Sequence, residues 1–299
     1  MINWTLASRL DRALEARTDP SHLEKLWTAP QARLLLVGGG RVPLTGTRLT
    51  WQPCSGSYDP QRHLLLGLVD EAPVFVAEGA TEAPTLRETM ERLSDPELEI
   101  GFAAVGLVGW HQRSRFCSEC GAVTEVLAGG QARRCTGCAV ESYPRTDPAV
   151  IVAITDADDR LLLGRQASWA ARRHSVFAGF AETGESLEQT VHREMTEEVG
   201  LELTGVRYLG SQPWPFPRSL MVAFAARAVS AEVRIAEDEI EKARWFTREE
   251  LRAAFASGEV LPPSTTSIAA RMIQAWLDGE LSPDGLAGAV ISNNELVTS

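Results

Sequence analysis

Between Gly179 and Leu201 the chain reads GFAETGESLEQTVHREMTEEVGL, and no other run restricts its fold and chemistry as much. Residues 186–199 hold neither Pro nor Gly and predict a helix, which Gly200 is placed to end. Residues three and four apart share a helix face, so Glu194 sits with both Glu197 and Glu198. Three carboxylates so arranged repel one another unless a cation lies between them. Hard oxygen ligands on one ridge suit Mg²⁺, which takes a few carboxylates, some waters and a substrate's phosphate oxygens. A Glu-rich helix is more often just a solvated face. Eight defined positions in 23 residues, G-x5-E-x7-R-E-x2-E-E-x-G-L, are too exacting for that explanation.

The same pattern is the Nudix box, matched at every defined position, so the chain resembles the Nudix hydrolases. Those enzymes cleave nucleoside diphosphates linked to another group.

Four of the five cysteines form a second pattern: Cys117-x2-Cys120, fourteen residues, then Cys135-x2-Cys138. Two such pairs at this separation predict a tetrahedral Zn²⁺ ribbon in which four thiolates fill the coordination sphere. The ion would then hold the fold and leave no position open for chemistry. Disulfides compete with this reading, but nothing marks the chain as secreted. Cys54 reads as a buried, inert thiol.

A length of 299 residues has room for about two domains, and 44% hydrophobic content is ample for a core. No apolar run of membrane-spanning length occurs, and the N-terminus lacks a secretion signal's apolar centre, so a cytoplasmic protein with no membrane partner is expected. A net charge of −11 makes the chain a poor candidate for sequence-independent binding to a phosphate backbone, though net charge says nothing of local patches.

Around the ribbon the chain divides into an N-terminal α+β scaffold domain (1–113), the ribbon and its linker (114–147), a catalytic domain (148–280) and a loose tail (281–299). In the first, Arg33–Val37, His63–Val69 and Val74–Ala77 predict strands. Helices follow at Thr85–Leu93 and Leu98–Gln112, with a break at Asp95-Pro96. Tyr143–Pro148 is a stiff linker. Ala149–Thr155 and Arg160–Arg165 read as a hairpin turned at Asp156–Asp159. Strands are expected at Ser175–Phe180, Val206–Ser211, Leu220–Arg227 and Ala243–Phe246, and closing helices at Arg248–Ser257 and Thr266–Asp278. Mixed strands with helices on either face predict an α/β fold, an α/β/α sandwich, which the Nudix resemblance also implies.

Ten residues past the box stands Ser211-Gln212-Pro213-Trp214-Pro215-Phe216-Pro217-Arg218-Ser219-Leu220-Met221. Its prolines exclude a helix or a central strand and predict a rigid, aromatic-lined loop, either packed on a core or stacking a ligand. The wording SQPWPFP-x-SLM is similar to the signature of the NADH pyrophosphatases within the Nudix hydrolases. The N-terminal domain, ribbon, YPR linker, box and loop extend that resemblance over about residues 60–280. It implies a zinc-containing, Mg²⁺- or Mn²⁺-dependent homodimer that splits NAD(H) into NMN(H) and AMP, and also removal of NAD caps from RNA 5′ ends.

Cleavage of a pyrophosphate needs its oxygens neutralised and a water aligned. Glu194, Glu197 and Glu198 are the expected catalytic metal ligands, and by resemblance Glu198 is the indispensable one. Glu239 matches the family position of a further ligand, with Glu237, Asp238 and Glu241 close by. Arg193 is expected to pair with Glu185 and pin the preceding loop to the helix, and Gly179 and Gly184 to let that loop turn. Phe180, Tyr143 (reaching from the other subunit), Gln212 and the backbone near Ala269 match family positions that contact the substrate; for each, packing is an equal alternative. Phe177 stands where the family often has Leu, a change expected to alter packing alone. The reading from another class is a zinc-ribbon module that binds nucleic acid or protein on an inactive Nudix fold; the intact carboxylate set argues against it.

Overall fold

The computed structural model describes residues 8–79, 82–235 and 240–281. The described residues form two compact units: those of 8–146 together with Pro213–Ser219, and Asp147–Gln212 together with those of 220–281.

In the first unit the chain runs through β1 (Leu10–Asp11), α1 (Leu14–Arg17), α2 (Pro20–Thr28), β2 (Arg33–Val37), β3 (Leu44–Thr45), β4 (Arg48–Leu49), β5 (Gln52–Pro53), β6 (Leu64–Val69) and β7 (Ala72–Glu78). Helices α3 (Leu86–Thr89) and α4 (Asp95–Arg113) follow. The apolar runs β2, β6 and β7 form the middle of a five-stranded sheet ordered β1-β6-β7-β2-β5. β6 and β7 are an antiparallel hairpin closed by Asp70 and Glu71, both with positive φ (49° and 64°), the twist a two-residue hairpin turn requires. The break expected at Asp95-Pro96 is the start of α4: Ser94 precedes it, and Pro96 lies in the first turn, where no intrahelical N–H bond is lost. Trp27, Leu65 and Phe75 centre the core. The unit closes with a three-stranded ribbon, β8 (Thr124–Leu127), β9 (Ala132–Cys135) and β10 (Glu141–Ser142), ordered β10-β9-β8.

The second unit is built on β11 (Asp147–Thr155), β12 (Leu161–Arg165), β13 (Phe177–Phe180), α5 (Leu187–Val199), β14 (Leu203–Trp214), β15 (Ser219–Ala228), β16 (Lys242–Phe246), α6 (Arg248–Ser257) and α7 (Ile268–Leu277). Its sheet runs β14-β15-β11-β12-β16, with β13 paired to β11. Successive side chains of a strand point to opposite faces, and β11 feeds two cores in turn. Val150, Val152 and Ile154 pack with Val191, Met195 and Val199 of α5. Ile151 and Ala153 pack with Leu251 of α6 and Met272, Ile273 and Trp276 of α7. This is the expected α/β/α sandwich. The β11–β12 hairpin turns where predicted: the Asp156 carboxylate accepts hydrogen bonds from the Asp158 and Arg160 backbone N–H groups at 3.0 and 2.9 Å.

The Pro-aromatic segment departs from its expectation in part. Strand β14 continues to Trp214, so the first half of the segment is strand. β14 is an edge strand, where Pro213 and its missing N–H are tolerated. The remainder, counted with the first unit, packs on a core: Trp214 and Phe216 meet Phe102 of α4 edge-on at centroid distances of 6.4 and 5.9 Å.

Candidate active site and zinc centre

The knuckles of the ribbon bring all four cysteine sulfurs within 4.8 Å of one another. Cys117 and Cys138 Sγ are 3.7 Å apart, and Cys120 and Cys135 Sγ 3.3 Å. Zinc–sulfur bonds of about 2.3 Å in a tetrahedron put sulfurs roughly 3.8 Å apart, so this donor set fits zinc. Backbone N–H groups of Cys138 and Gly137 point at Cys135 Sγ (3.4 and 3.3 Å) and draw its thiol down to about 6, toward the thiolate a metal needs. All five cysteines are free of disulfides; Cys54 is partly buried, and desolvation pushes its thiol up to about 11, as suits an inert group.

Helix α5 starts with a capping box, Ser186 and Gln189 satisfying each other's backbone N–H groups, a signal already present in S-L-E-Q. It ends at Gly200 with φ 65°, where the Leu201 N–H reaches back to the Met195 carbonyl at 3.1 Å. Between these caps the three glutamates are not equivalent. Glu194 and Glu198 are buried at 9% and 4% exposure, whereas the Glu197 side chain is 61% exposed.

Arg193 is the hub of the site. Its Nε and Nη2 donate to the two Glu185 oxygens at 2.6 and 2.8 Å, the bidentate pairing expected from the sequence. Nη2 also donates to the Phe180 carbonyl at 2.9 Å. Nη1 donates to Glu194 Oε1 at 3.0 Å and Glu197 Oε2 at 2.9 Å, so one guanidinium offsets the repulsion between those carboxylates. This second task of Arg193 was not anticipated. The Arg193 guanidinium holds the Glu185 carboxyl down at about 2, helped by the Glu182 N–H, and the same pairings raise the pKa of Arg193 itself. Among the described residues the four cysteines alone gather three or more such ligand atoms within 4.8 Å, so the α5 carboxylates share a helix surface but not one tight cluster.

Gly179 has a different role from the one expected. It shows no positive φ; it lies in β13 under Glu194, and a Cβ there would fall 1.9 Å from Glu194 Cδ. The glycine is a seat for that carboxylate, not a turn. Gly184, at φ 95°, is the one that turns the loop. Of the acids after β15, Glu241 is committed to Arg165 at 2.9 Å, and Glu237, Asp238 and Glu239 lie outside the described residues.

The four expected substrate contacts separate into two kinds. Phe180 and Tyr143 present their rings at 57% and 60% exposure, and the Tyr143 hydroxyl donates to Glu141 at 2.8 Å. Gln212 is fully buried. Its Nε2 donates to the Thr266 carbonyl at 2.9 Å, and its Oε1 accepts the Ile268 N–H at 2.7 Å, tying β14 to the start of α7. Ala269 is buried in the first turn of α7, within the core. Phe177 is purely packing, as expected: its ring lies against Gly164, where a Cβ would stand 2.6 Å from ring carbons.

The NUDIX domain family matches residues 145–263, and the NADH pyrophosphatase zinc ribbon domain family matches residues 112–143. A Mycobacterium bovis protein named NAD-capped RNA hydrolase NudC is 39% identical over 289 residues, covering 89% of this chain and 92% of its own. Its namesake from Deinococcus radiodurans is 36% identical over 252 residues, covering 81% and 87%. Among solved structures, a NUDIX hydrolase from Nitrosomonas europaea is similar at 19% identity and a TM-score of 0.44, covering 56% of this chain and 92% of that one. The chain belongs to the Nudix hydrolases and, within them, to the NADH pyrophosphatase family that carries this ribbon. No described helix is long and apolar enough to cross a membrane.

Proposed function

We propose that this chain is a divalent-metal-dependent diphosphatase that splits NAD(H) into NMN(H) and AMP and removes NAD caps from RNA 5′ ends. The observation that carries this reading is the seat on Gly179 for the Glu194 carboxylate, with Glu198 buried one turn further along α5. Two hard oxygen donors held in place by the sheet and helix suit Mg²⁺ or Mn²⁺. Glu194, Glu197, Glu198 and Glu239 would hold the ion, which when bound neutralises phosphate oxygens and lowers the pKa of a water. Glu198 orients the water that attacks phosphorus; the bridging P–O bond breaks, and its electron pair leaves on the departing nucleotide's phosphate. Arg193 bridges Glu194 and Glu197, offsetting their repulsion, and, through the Phe180 carbonyl, fixes where the Phe180 ring stands for stacking on nicotinamide. The exposed Tyr143 ring would serve a second copy of the chain in a homodimer. Gln212 supports this site by positioning the α7 N-terminus and the Ala269 backbone, its amide nitrogen and oxygen each engaged there. The residues up to 113 act as scaffold, and the protein works in the cytoplasm.

A substrate panel of NADH, NAD⁺, ADP-ribose and NAD-capped RNA, each with Mn²⁺ or with EDTA, tests the proposal. Metal-dependent release of AMP from NADH and of the cap's NMN from the RNA is the expected result. Turnover of ADP-ribose alone, or turnover indifferent to EDTA, would sink it.

A further inference from the structure

Within the first unit, the ribbon and the N-terminal sheet enclose a cleft of about 470 Å³, in the size range of ligand sites. Arg133 lies in its wall at 8% exposure. Its Nε and Nη2 donate to the Thr124 hydroxyl and carbonyl at 2.6 and 2.7 Å, and its Nη1 donates to His111 Nδ1 at 2.8 Å. The His111 ring must then carry its proton on Nε2, which donates to the Gly130 carbonyl at 2.8 Å. Burial pushes that imidazole down to about 4, so it is neutral at pH 7. Every partner of the buried guanidinium is therefore uncharged. Glu78, the one acid among the described lining residues, is taken by Arg115 at 2.8 Å and Gln112 at 3.1 Å. Arg62, also on the wall, makes no side-chain hydrogen bond or ion pair with a described residue. Three guanidiniums against one carboxylate leave a local excess of positive charge in a chain of net charge −11. Such an excess concentrates polyanions locally.

One side of the cleft is apolar and open to solvent. Phe116 and Val123 face each other across an antiparallel bridge and are 67% and 55% exposed. An exposed aromatic beside Arg62, which has no described side-chain partner, and Arg133, which has no acidic one, matches what single-stranded nucleic acid requires: a face on which a base stacks and cations that meet its phosphates.

We propose that this cleft binds the single-stranded RNA body of a capped transcript, the Phe116 ring taking a base and Arg62 and Arg133 the flanking phosphates. These residues take no part in cleaving the cap. The inference rests on the reading that NAD-capped RNA is a substrate, and its test keeps the two apart.

Full-length, zinc-loaded protein is compared with the Arg62→Ala/Phe116→Ala double variant, both sites being exposed so that zinc content and melting temperature stay unchanged. Fluorescence anisotropy with a labelled, uncapped 5′-monophosphate single-stranded RNA reads the cleft directly. The double variant is expected to bind about tenfold more weakly, with a shallower dependence on salt. On NAD-capped RNA its kcat/KM should fall about tenfold, while NADH turnover stays within about twofold of wild type. Equal RNA affinity in the two proteins, or no RNA binding by wild type, overturns the proposal. Wild type that binds RNA through the cleft and cleaves NADH but not the capped transcript would refute the substrate reading and leave the cleft assignment standing.

Discussion

At the ribbon, four sulfurs lie within 4.8 Å of one another, each pair set by a knuckle of its own backbone. On α5 the acidic donors are spread over a helix surface: Glu194 and Glu197 share the Arg193 Nη1, and Glu198 is buried one turn further along. The difference follows from what each group must do. Four thiolates on one ion leave no open position, so they can be gathered tightly and the ion becomes part of the fold. A site for pyrophosphate chemistry must leave room for water and phosphate oxygens, so its donors are spread along the helix and positioned by a bridging protein cation and a shaped seat.

The contrast predicts effects of different kind and size. Cys117→Ser should do the most damage. Structural zinc in small ribbons contributes on the order of 10 kcal/mol of apparent binding energy, and folding shares in it. Zinc measured by atomic absorption should fall to near zero per chain together with a large drop in melting temperature; a variant that keeps zinc and stability would break the comparison. Gly179→Ala comes next, because a Cβ 1.9 Å from Glu194 Cδ must displace that carboxylate. A misplacement near 1 Å costs about a hundredfold in rate, so kcat on NADH should fall by that order while zinc content is unchanged. Arg193→Lys removes the fork that reaches Glu185, Phe180, Glu194 and Glu197 at once. A lysine reaches one or two of them, and the loss should be about 1–3 kcal/mol of stability with a smaller loss of rate, read by chemical denaturation and NADH assay.

Acid acts without any substitution. His111 has a folded pKa near 4, below its ordinary 6.5, so the unfolded chain binds more protons as pH falls. Stability from the neutral ring is present above pH 6.5 and is lost between there and pH 4, by at most about 3 kcal/mol. Glu185 responds lower: held down at about 2, its pairing with Arg193 is intact above pH 4.5 and fades as pH falls toward 2. Amide protection factors in Thr124–Cys135, corrected for the intrinsic exchange rate at each pH, should therefore fall near pH 5 before the Glu185 loop loosens. The reverse order would contradict the assignment of the buried proton.

Much of this was legible because it is local. The Gly200 cap of α5, the cysteine knuckles, the Asp156 turn and the apolar strand Ala149–Thr155 each depend on residues within a few positions of one another. The Arg193–Glu185 pairing, eight residues apart, was readable because helix geometry brings the turn before α5 over it. What escaped is long-range. Nothing near Gly179 in sequence indicates that Glu194 will rest on it, and Gly164 does not announce the Phe177 ring. Gln212 looked available for a ligand, yet its amide is spent 54 and 56 residues away on Thr266 and Ile268. The prolines of 213–217 excluded a central strand correctly, but only the sheet order reveals an edge that accepts Pro213.

The most direct test of the division between a site that reacts and a site that holds the fold is Glu198→Gln. NADH hydrolysis with Mn²⁺, zinc content and melting temperature should be measured on one preparation. The prediction is a loss of turnover of about 10²–10⁴-fold, the scale for a group that handles the reacting water, with zinc and melting temperature at wild-type values. Wild-type turnover in that variant, or a loss of zinc alongside activity, would contradict it.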